Sequence, residues 1–237
     1  MEQGDISINV LFQFGPLAFT STVLTTWAIM AVSATLAWLT ARSLTLQPGP
    51  VQTVAEGVVG IIETAIADVA PEHARQLLPF IGTLWLFLII ANLSGLIPGV
   101  HSPTRDISAT SALAILVFFS THWFGIRASG IKDYLRHYLR PSPLMLPFHI
   151  ISEITRTVAL AIRLFGNMMS LEMTALLILL VAGLLAPIPI LMLHIIEALV
   201  QAYIFGMLAL IFVAGGIQSQ QISRQKQPGH QATGGDI

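Results

Sequence analysis

Residues 148–186 read FHIISEITRTVALAIRLFGNMMSLEMTALLILLVAGLLA, a proline-free stretch with Glu153, Arg156, Arg163 and Glu172 set among apolar residues. As one helix it would reach about 58 Å at 1.5 Å per residue, roughly twice the 30 Å of bilayer hydrocarbon. A helix of that length meets a membrane only if it is strongly tilted, bent or partly outside. Pro187 and Pro189 then bracket a tight break, and a second long stretch, 190–217, carries Glu197 inside it. Two oversized, polar-studded helices joined by Pro-Ile-Pro make a hairpin, and the hairpin sets the architecture.

The rest of the chain points to a membrane for a simpler reason. Of its 237 residues 54% are hydrophobic and 10% charged, with a mean hydropathy of +0.78, where a soluble domain carries roughly 25% charged residues. Eleven Lys/Arg against twelve Asp/Glu give a formal charge of -1, so no basic footprint for nucleic acid is present. Without cysteine there is no disulfide framework, thiolate metal site or thiol redox chemistry. Three further intervals are long and apolar enough to span, 17–41, 77–98 and 107–127, while 50–70 carries Glu56, Glu63 and Asp68 among Val, Ile and Ala. That segment reads as an interfacial amphipathic helix, with a helix packed on the other segments as the alternative. Residues 1–16 lack a basic n-region and form an external N-terminal segment, so the first span is a retained helix and not a cleaved signal.

The expectation is therefore an all-α integral membrane protein with five membrane-crossing helices in one membrane domain, 17–217, and a disordered Gln/Ser/Gly-rich tail, 218–237. Lys and Arg in the connections set its orientation. Arg127, Lys132, Arg136 and Arg140 lie between the third span and the hairpin, and Arg224 and Lys226 follow it, whereas the N-terminal segment has none. This places the N-terminus outside and the C-terminus in the cytoplasm of a cell membrane. No internal repeat is visible, which counts against an inverted-repeat transporter.

Arg163 carries the sharpest chemical signal. Arginine stays charged at physiological pH, and at the centre of a spanning helix it costs from about 2.5 to well over 10 kcal/mol. It either pairs with a carboxylate of its own chain, as a purely structural charge, or meets a group on a partner. On a helical wheel Arg156, Arg163 and Ser170 share a stripe beside Ala159, Gly166 and Asn167. Such small residues let another helix approach closely. Glu172, nine residues on, lies about 180° around and about 13.5 Å along. In the second arm His194, Glu197 and Gln201 stand at i, i+3 and i+7, a polar stripe that reads either as a hydrated ion path or as an interhelical hydrogen-bond seam. His and Glu can exchange protons near neutral pH when burial and neighbours tune them. Two ligands do not make a metal site. Asn92 lines a path or bonds to a neighbouring helix, and His73, His101, His122, His137 and His149 read mostly as loop or interface residues. No GxxxxGK[ST], GxSxG or HExxH motif is present, so neither nucleotide binding nor catalysis by the chain alone is indicated.

The run Arg163-Leu164-Phe165-Gly166-Asn167-Met168, with Glu172 after it, resembles the signature of subunit a of the F-type ATP synthases. The likeness extends to Gln201-Ala202-Tyr203-Ile204-Phe205, to Asn92-Leu93-Ser94-Gly95-Leu96-Ile97-Pro98-Gly99 and to Pro103-Thr104-Arg105-Asp106-Ile107. The resemblance implies a stator packed against a ring of c subunits, held with peripheral-stalk b subunits and the remaining synthase subunits in the lipid bilayer. It implies no cofactor of its own and the translocation of H+ or Na+. Arg163 matches the essential arginine, Asn167, Glu172, His194 and Gln201 match positions near it or along the outer half-channel, and Asn92 matches a polar position on that path. Where some members carry an aspartate, this chain has Gly95, and Glu197 is a candidate substitute. Readings from other classes are a secondary transporter, with Arg163 as counter-ion to a small anionic substrate, and a structural membrane subunit.

Overall fold

The computed structural model describes residues 10–14, 17–42, 44–45, 49–97, 102–131, 146–182 and 187–225. Among the described residues six α-helices follow a short hairpin: α1 Ser21–Arg42, α2 Pro50–Val69, α3 Ala74–Ser94, α4 Ile107–Ser129, α5 Leu146–Ala182 and α6 Pro187–Gln225. All but α2 are long and apolar enough to cross a membrane, so the chain is an all-α integral membrane protein. With 37 and 39 residues, α5 and α6 each exceed the roughly 20 that a span needs.

The first span begins later than its apolar composition indicates. Val10–Phe14 (β1) pairs antiparallel with Leu17–Thr20 (β2), in the register Phe12 to Phe19 and Phe14 to Leu17. Phenylalanine and Val favour the pleated surface of a strand pair, and these residues count as apolar in either conformation. Conversely, α6 runs on to Gln225, past the expected start of the tail at 218. Gln, Ser, Ile and Arg tolerate a helix, and the next proline is Pro228. Residues 183–186, 132–145 and 226–237, which include the turn of the hairpin and most of the basic connection, lie outside the described residues.

The helices are covered by the chain to very different degrees. None of α1 is buried, and its surface is apolar nearly all round, as suits a helix facing lipid. Its hydroxyls are satisfied locally: Thr26 donates to Thr22 O (2.7 Å), Ser33 to Ile29 O (2.7 Å) and Thr35 to Ala31 O (2.6 Å). In contrast α6 is central, with Ala198, Ala202, Phe205, Ala209 and Val213 almost fully covered. Of these, Ala202, Phe205, Ala209 and Val213 pack in one core with Leu77, Ile81, Trp85 and Leu88 of α3, Val117 of α4, and Leu160 and Leu164 of α5. Ile62 and Ile66 dock α2 on this core, while Val51, Val54 and Ile61 stay uncovered.

The turn between α3 and α4 is tied down by hydroxyls. Ser102 donates to Ala91 O and pairs with the Thr104 hydroxyl, both at 2.7 Å. Asp106 then caps α4 by accepting from Ser108 N at 2.9 Å. This folded-back turn closes the end of the bundle where α3 stops.

Candidate functional site

Arg163 sits in the middle of α5 with its side chain uncovered by the chain. Among the described residues no carboxylate lies within ion-pair distance of it. Its neighbours on the same side match the small-residue stripe: Ala159 and Ser170 are exposed, and a Cβ added at Gly166 would meet nothing within 4 Å. Arg156 departs from that stripe, because its guanidinium lies 4.5 Å from the centroid of the Phe212 ring on α6. The cation is partly satisfied by the ring face, which turns it toward the partner arm.

One turn beyond Arg163 the two arms are joined by polar groups. Asn167 Nδ2 donates to Gln201 Oε1 at 2.7 Å, and Gln201 is 1% exposed. On the next face of α6, Asn92 Nδ2 of α3 donates to Ala198 O at 3.0 Å. His194 is buried two turns further along. Three buried polar atoms of this cluster, Asn92 Oδ1, His194 Nε2 and Gln201 Nε2, have no protein partner. A buried polar group left unpaired costs about 1–3 kcal/mol, so three in one seam mark a place suited to water or a passing ion. Glu197 is half-buried between His194 and Gln201. The side chain of Glu172 lies outside the described residues.

Gly95 closes the same cluster. A Cβ there would stand 3.1 Å from Ser102 Cβ and 4.0 Å from His194 Nε2. A side chain at 95 would therefore press on the tied-down Ser102 turn, which would have to give by a few tenths of an ångström, and the only carboxylate on the His194 stripe of α6 is Glu197.

The register of the arms places a second polar group on the other side of Arg163. Asn167 with Gln201 and Arg156 with Phe212 are both centred on residue 184, so Arg163 stands level with Phe205. At that level the interior is apolar: Leu164, Ala202, Phe205 and Ala209 are 0–1% exposed. Beyond it, His122 Nε2 of α4 lies 3.5 Å from Glu153 Oε2 of α5. Glu153 and His194 are each about 15 Å from the Arg163 level by helical rise, on opposite sides. His122 thus lies inside α4 and not in a loop. A purely apolar reading of 107–127 hides it, and only its partner ten residues before Arg163 gives it meaning. Among the described residues no group of three or more His, Cys, Asp or Glu is placed to hold a metal.

The Asn167–Gln201 bond carries a quantitative expectation. In a double-mutant cycle with Asn167→Leu and Gln201→Leu, thermal unfolding in detergent should give a coupling of about 0.6 kcal/mol, and at most about 1.7. Strictly additive losses would mean that the bond contributes nothing.

A family model described as ATP synthase A chain matches residues 23–214. The chain is 66% identical over 216 residues to "ATP synthase subunit a 2" of Pelobacter propionicus, covering 91% of this chain and 95% of the relative. It is 65% identical over 213 residues to "ATP synthase subunit a 1" of Hahella chejuensis, covering 90% and 91%. With "ATP synthase subunit a" of Legionella pneumophila it shares 56% over 225 residues, covering 94% and 97%.

Proposed function

The chain belongs to the ATP synthase A chain family, and we propose that it is the stator of the membrane sector, offering two offset half-channels to a rotating ring of c subunits. The observation that carries this reading is the position of Arg163, uncovered on a small-residue face at the level of an apolar seal between two polar clusters. Among the described residues, the apolar level of Leu164, Ala202, Phe205 and Ala209 separates the two clusters inside the chain. An ion entering either cluster must leave sideways, onto the face that Arg163 occupies.

Chemistry on that face follows from the cost of charge in lipid. A ring carboxylate crosses hydrocarbon only when neutral. Beside the fixed guanidinium the ionised form is favoured, so a loaded site releases its ion there and reloads from the other half-channel. The same positive charge repels a cation that would slip directly from one half-channel to the other, so ion flow requires the ring to turn. Asn167, held by Gln201, fixes the polar surface one turn from Arg163. Asn92, His194, Glu197, Gln201 and Glu172 form the half-channel open to the outside, with Glu197 serving in place of an acidic group at Gly95. Ala159, Gly166 and Ser170 belong to the ring-facing side. The lysines and arginines of the connections set the N-terminus outside and the C-terminus in the cytoplasm. The outer apolar face of α2 rests at the membrane interface, and the peripheral-stalk b subunits hold the assembly against rotation.

Because the chain has no cysteine, contact with the ring can be tested directly. Ser170→Cys, paired with a cysteine one turn from the carboxylate of the ring subunit, should form an oxidative cross-link in native membranes that stops ATP-driven rotation until reduced. A cysteine at Trp27 on α1 should not. Absence of any Ser170 cross-link in assembled complexes would remove the ring from this face. A secondary transporter with Arg163 as counter-ion fits less well, since the apolar seal leaves no enclosed site around the guanidinium.

A further inference from the structure

We propose that His122 and Glu153 form a proton relay of this chain on the opposite side of Arg163 from Asn92, His194 and Gln201, which makes them the working groups of the cytoplasmic half-channel. The proposal rests on the stator reading and adds a residue pair to it.

The geometry makes the pair a directional one. His122 Nδ1 lies 2.9 Å from Phe118 O, and a carbonyl oxygen can only accept. Nδ1 therefore carries the hydrogen in the neutral ring, which leaves Nε2 with its lone pair toward Glu153 Oε2 at 3.5 Å. A protonated Glu153 can pass its proton to Nε2, leaving a carboxylate and an imidazolium, and the reverse transfer restores both. No bond other than O–H and N–H changes. The separation is longer than a direct hydrogen bond, so transfer needs a small rotation of either side chain or one intervening water.

Room for that water lies beside the pair. A pocket at the junction of α4, α5 and α6 is lined by Thr121, Glu153, Arg156, Thr157, Leu160 and Phe212 among others, and holds about one water. Hydroxyls of Thr121 and Thr157 donate to their own helices, to Val117 O at 3.0 Å and Glu153 O at 2.9 Å. Their oxygens remain acceptors toward the pocket. Leu160 closes it one turn short of Arg163, about 4.5 Å along the axis. Among the described residues, Arg156 lines the pocket with Glu153, His122 of α4 approaches Glu153 at 3.5 Å, and α6 contributes Phe212 to the lining. At 26% and 19% side-chain exposure, His122 and Glu153 are neither a solvated surface pair nor a sealed structural bridge.

The test uses the whole complex in inverted membrane vesicles, with passive proton flux measured after the soluble ATPase is stripped. Glu153→Gln keeps shape and removes the titratable group, and should lower flux at least tenfold in membranes with normal subunit content. Glu153→Asp should restore at least a third of it. His122→Gln should flatten the dependence of flux on pH near neutrality, a change that loss of a packing contact does not produce. Independently, Thr157→Cys should react with a water-soluble methanethiosulfonate from the cytoplasmic side and lose flux, while Val158→Cys stays unreactive. Flux within twofold of wild type in Glu153→Gln overturns the relay, and if that variant does not assemble, an unreactive Thr157→Cys overturns it. Arg163→Ala in the same series separates the two readings: lost coupling there with normal Glu153→Gln flux sinks only the relay, whereas intact coupling sinks the stator reading beneath it.

Discussion

On the proposed stator reading, replacing Arg163 with Ala should abolish ATP-driven ion pumping in membranes whose complexes are otherwise assembled. Without the guanidinium, an ionised ring carboxylate at this depth regains the ordinary penalty for charge in a membrane, about 2.5–3.5 kcal/mol on the lowest scale. At 1.4 kcal/mol per tenfold, that alone slows unloading about a hundredfold. The apolar seal of Leu164, Phe205 and Ala202 persists, so the interior of the chain does not open. Ions should instead pass between the proposed half-channels along the uncovered face, so passive flux through the stripped membrane sector should rise while pumping falls. Arg163→Lys keeps the charge but not the planar fork that can hold a carboxylate with two bonds, and lies between the two. The measurement is quenching of a pH-sensitive dye, or of its sodium counterpart, in inverted vesicles, with subunit content checked in the same preparation. Normal pumping in assembled Arg163→Ala complexes would leave the guanidinium a structural charge.

That expectation could be framed from the sequence because its ingredients are local. A charged residue among apolar ones, flanked by Ala159, Gly166 and Ser170 at helical spacing, is visible as a pattern before any contact is known. So is the hairpin, announced by Pro187 and Pro189 between two stretches too long for simple spans. The pairing of Asn167 with Gln201 was half legible. Each stands in or beside a polar stripe, but their meeting depends on the register of the two helices, which the prolines at the break do not fix.

Other features depend on distance in the fold and left no periodic trace. His122 lies on a helix that reads as uniformly apolar, and Glu153 looks like one more charge near a helix start. Only the packing of α4 on α5 brings them to 3.5 Å. Arg156 was assigned to the ring-facing stripe by its wheel angle, yet a flexible side chain of that length reaches Phe212 instead. The strand pair at the N-terminus escaped because apolar content alone does not separate a strand from the start of a span. Gly95 was legible only as a departure from a pattern; the close approach of the Ser102 turn, which crowds a side chain there, is tertiary.

Substituting Ala at Gly206 should break the complex more severely than the same substitution at any other described glycine. A Cβ at this position would overlap the indole of Trp85 on α3, and the ring has little freedom to yield. Trp85 is 5% exposed, its Nε1 donates to Tyr203 O at 3.3 Å, and it stacks on the Tyr203 ring at 5.9 Å between centroids. Ala202 and Ala209, fully covered at one turn on either side, hold α6 close along the same face. Forcing such a contact typically costs about 1–3 kcal/mol. The loss is also functional, because the contact sets how α3 lies against α6. Asn92 to Ala198 and Trp85 to the Gly206 turn belong to one antiparallel register, so pushing α3 away at Trp85 draws Asn92 from its bond and opens the seal level with Arg163. Gly206→Ala should therefore lower the unfolding temperature in detergent and, in whatever complex survives, raise passive leak. Trp85→Leu introduced with it removes the overlap, and the double variant should recover at least about 1 kcal/mol relative to the sum of the single losses. Unfolding of Gly206→Ala at the wild-type temperature would mean that α3 and α6 are not pressed together here, and that the register fixing Asn92 is set elsewhere.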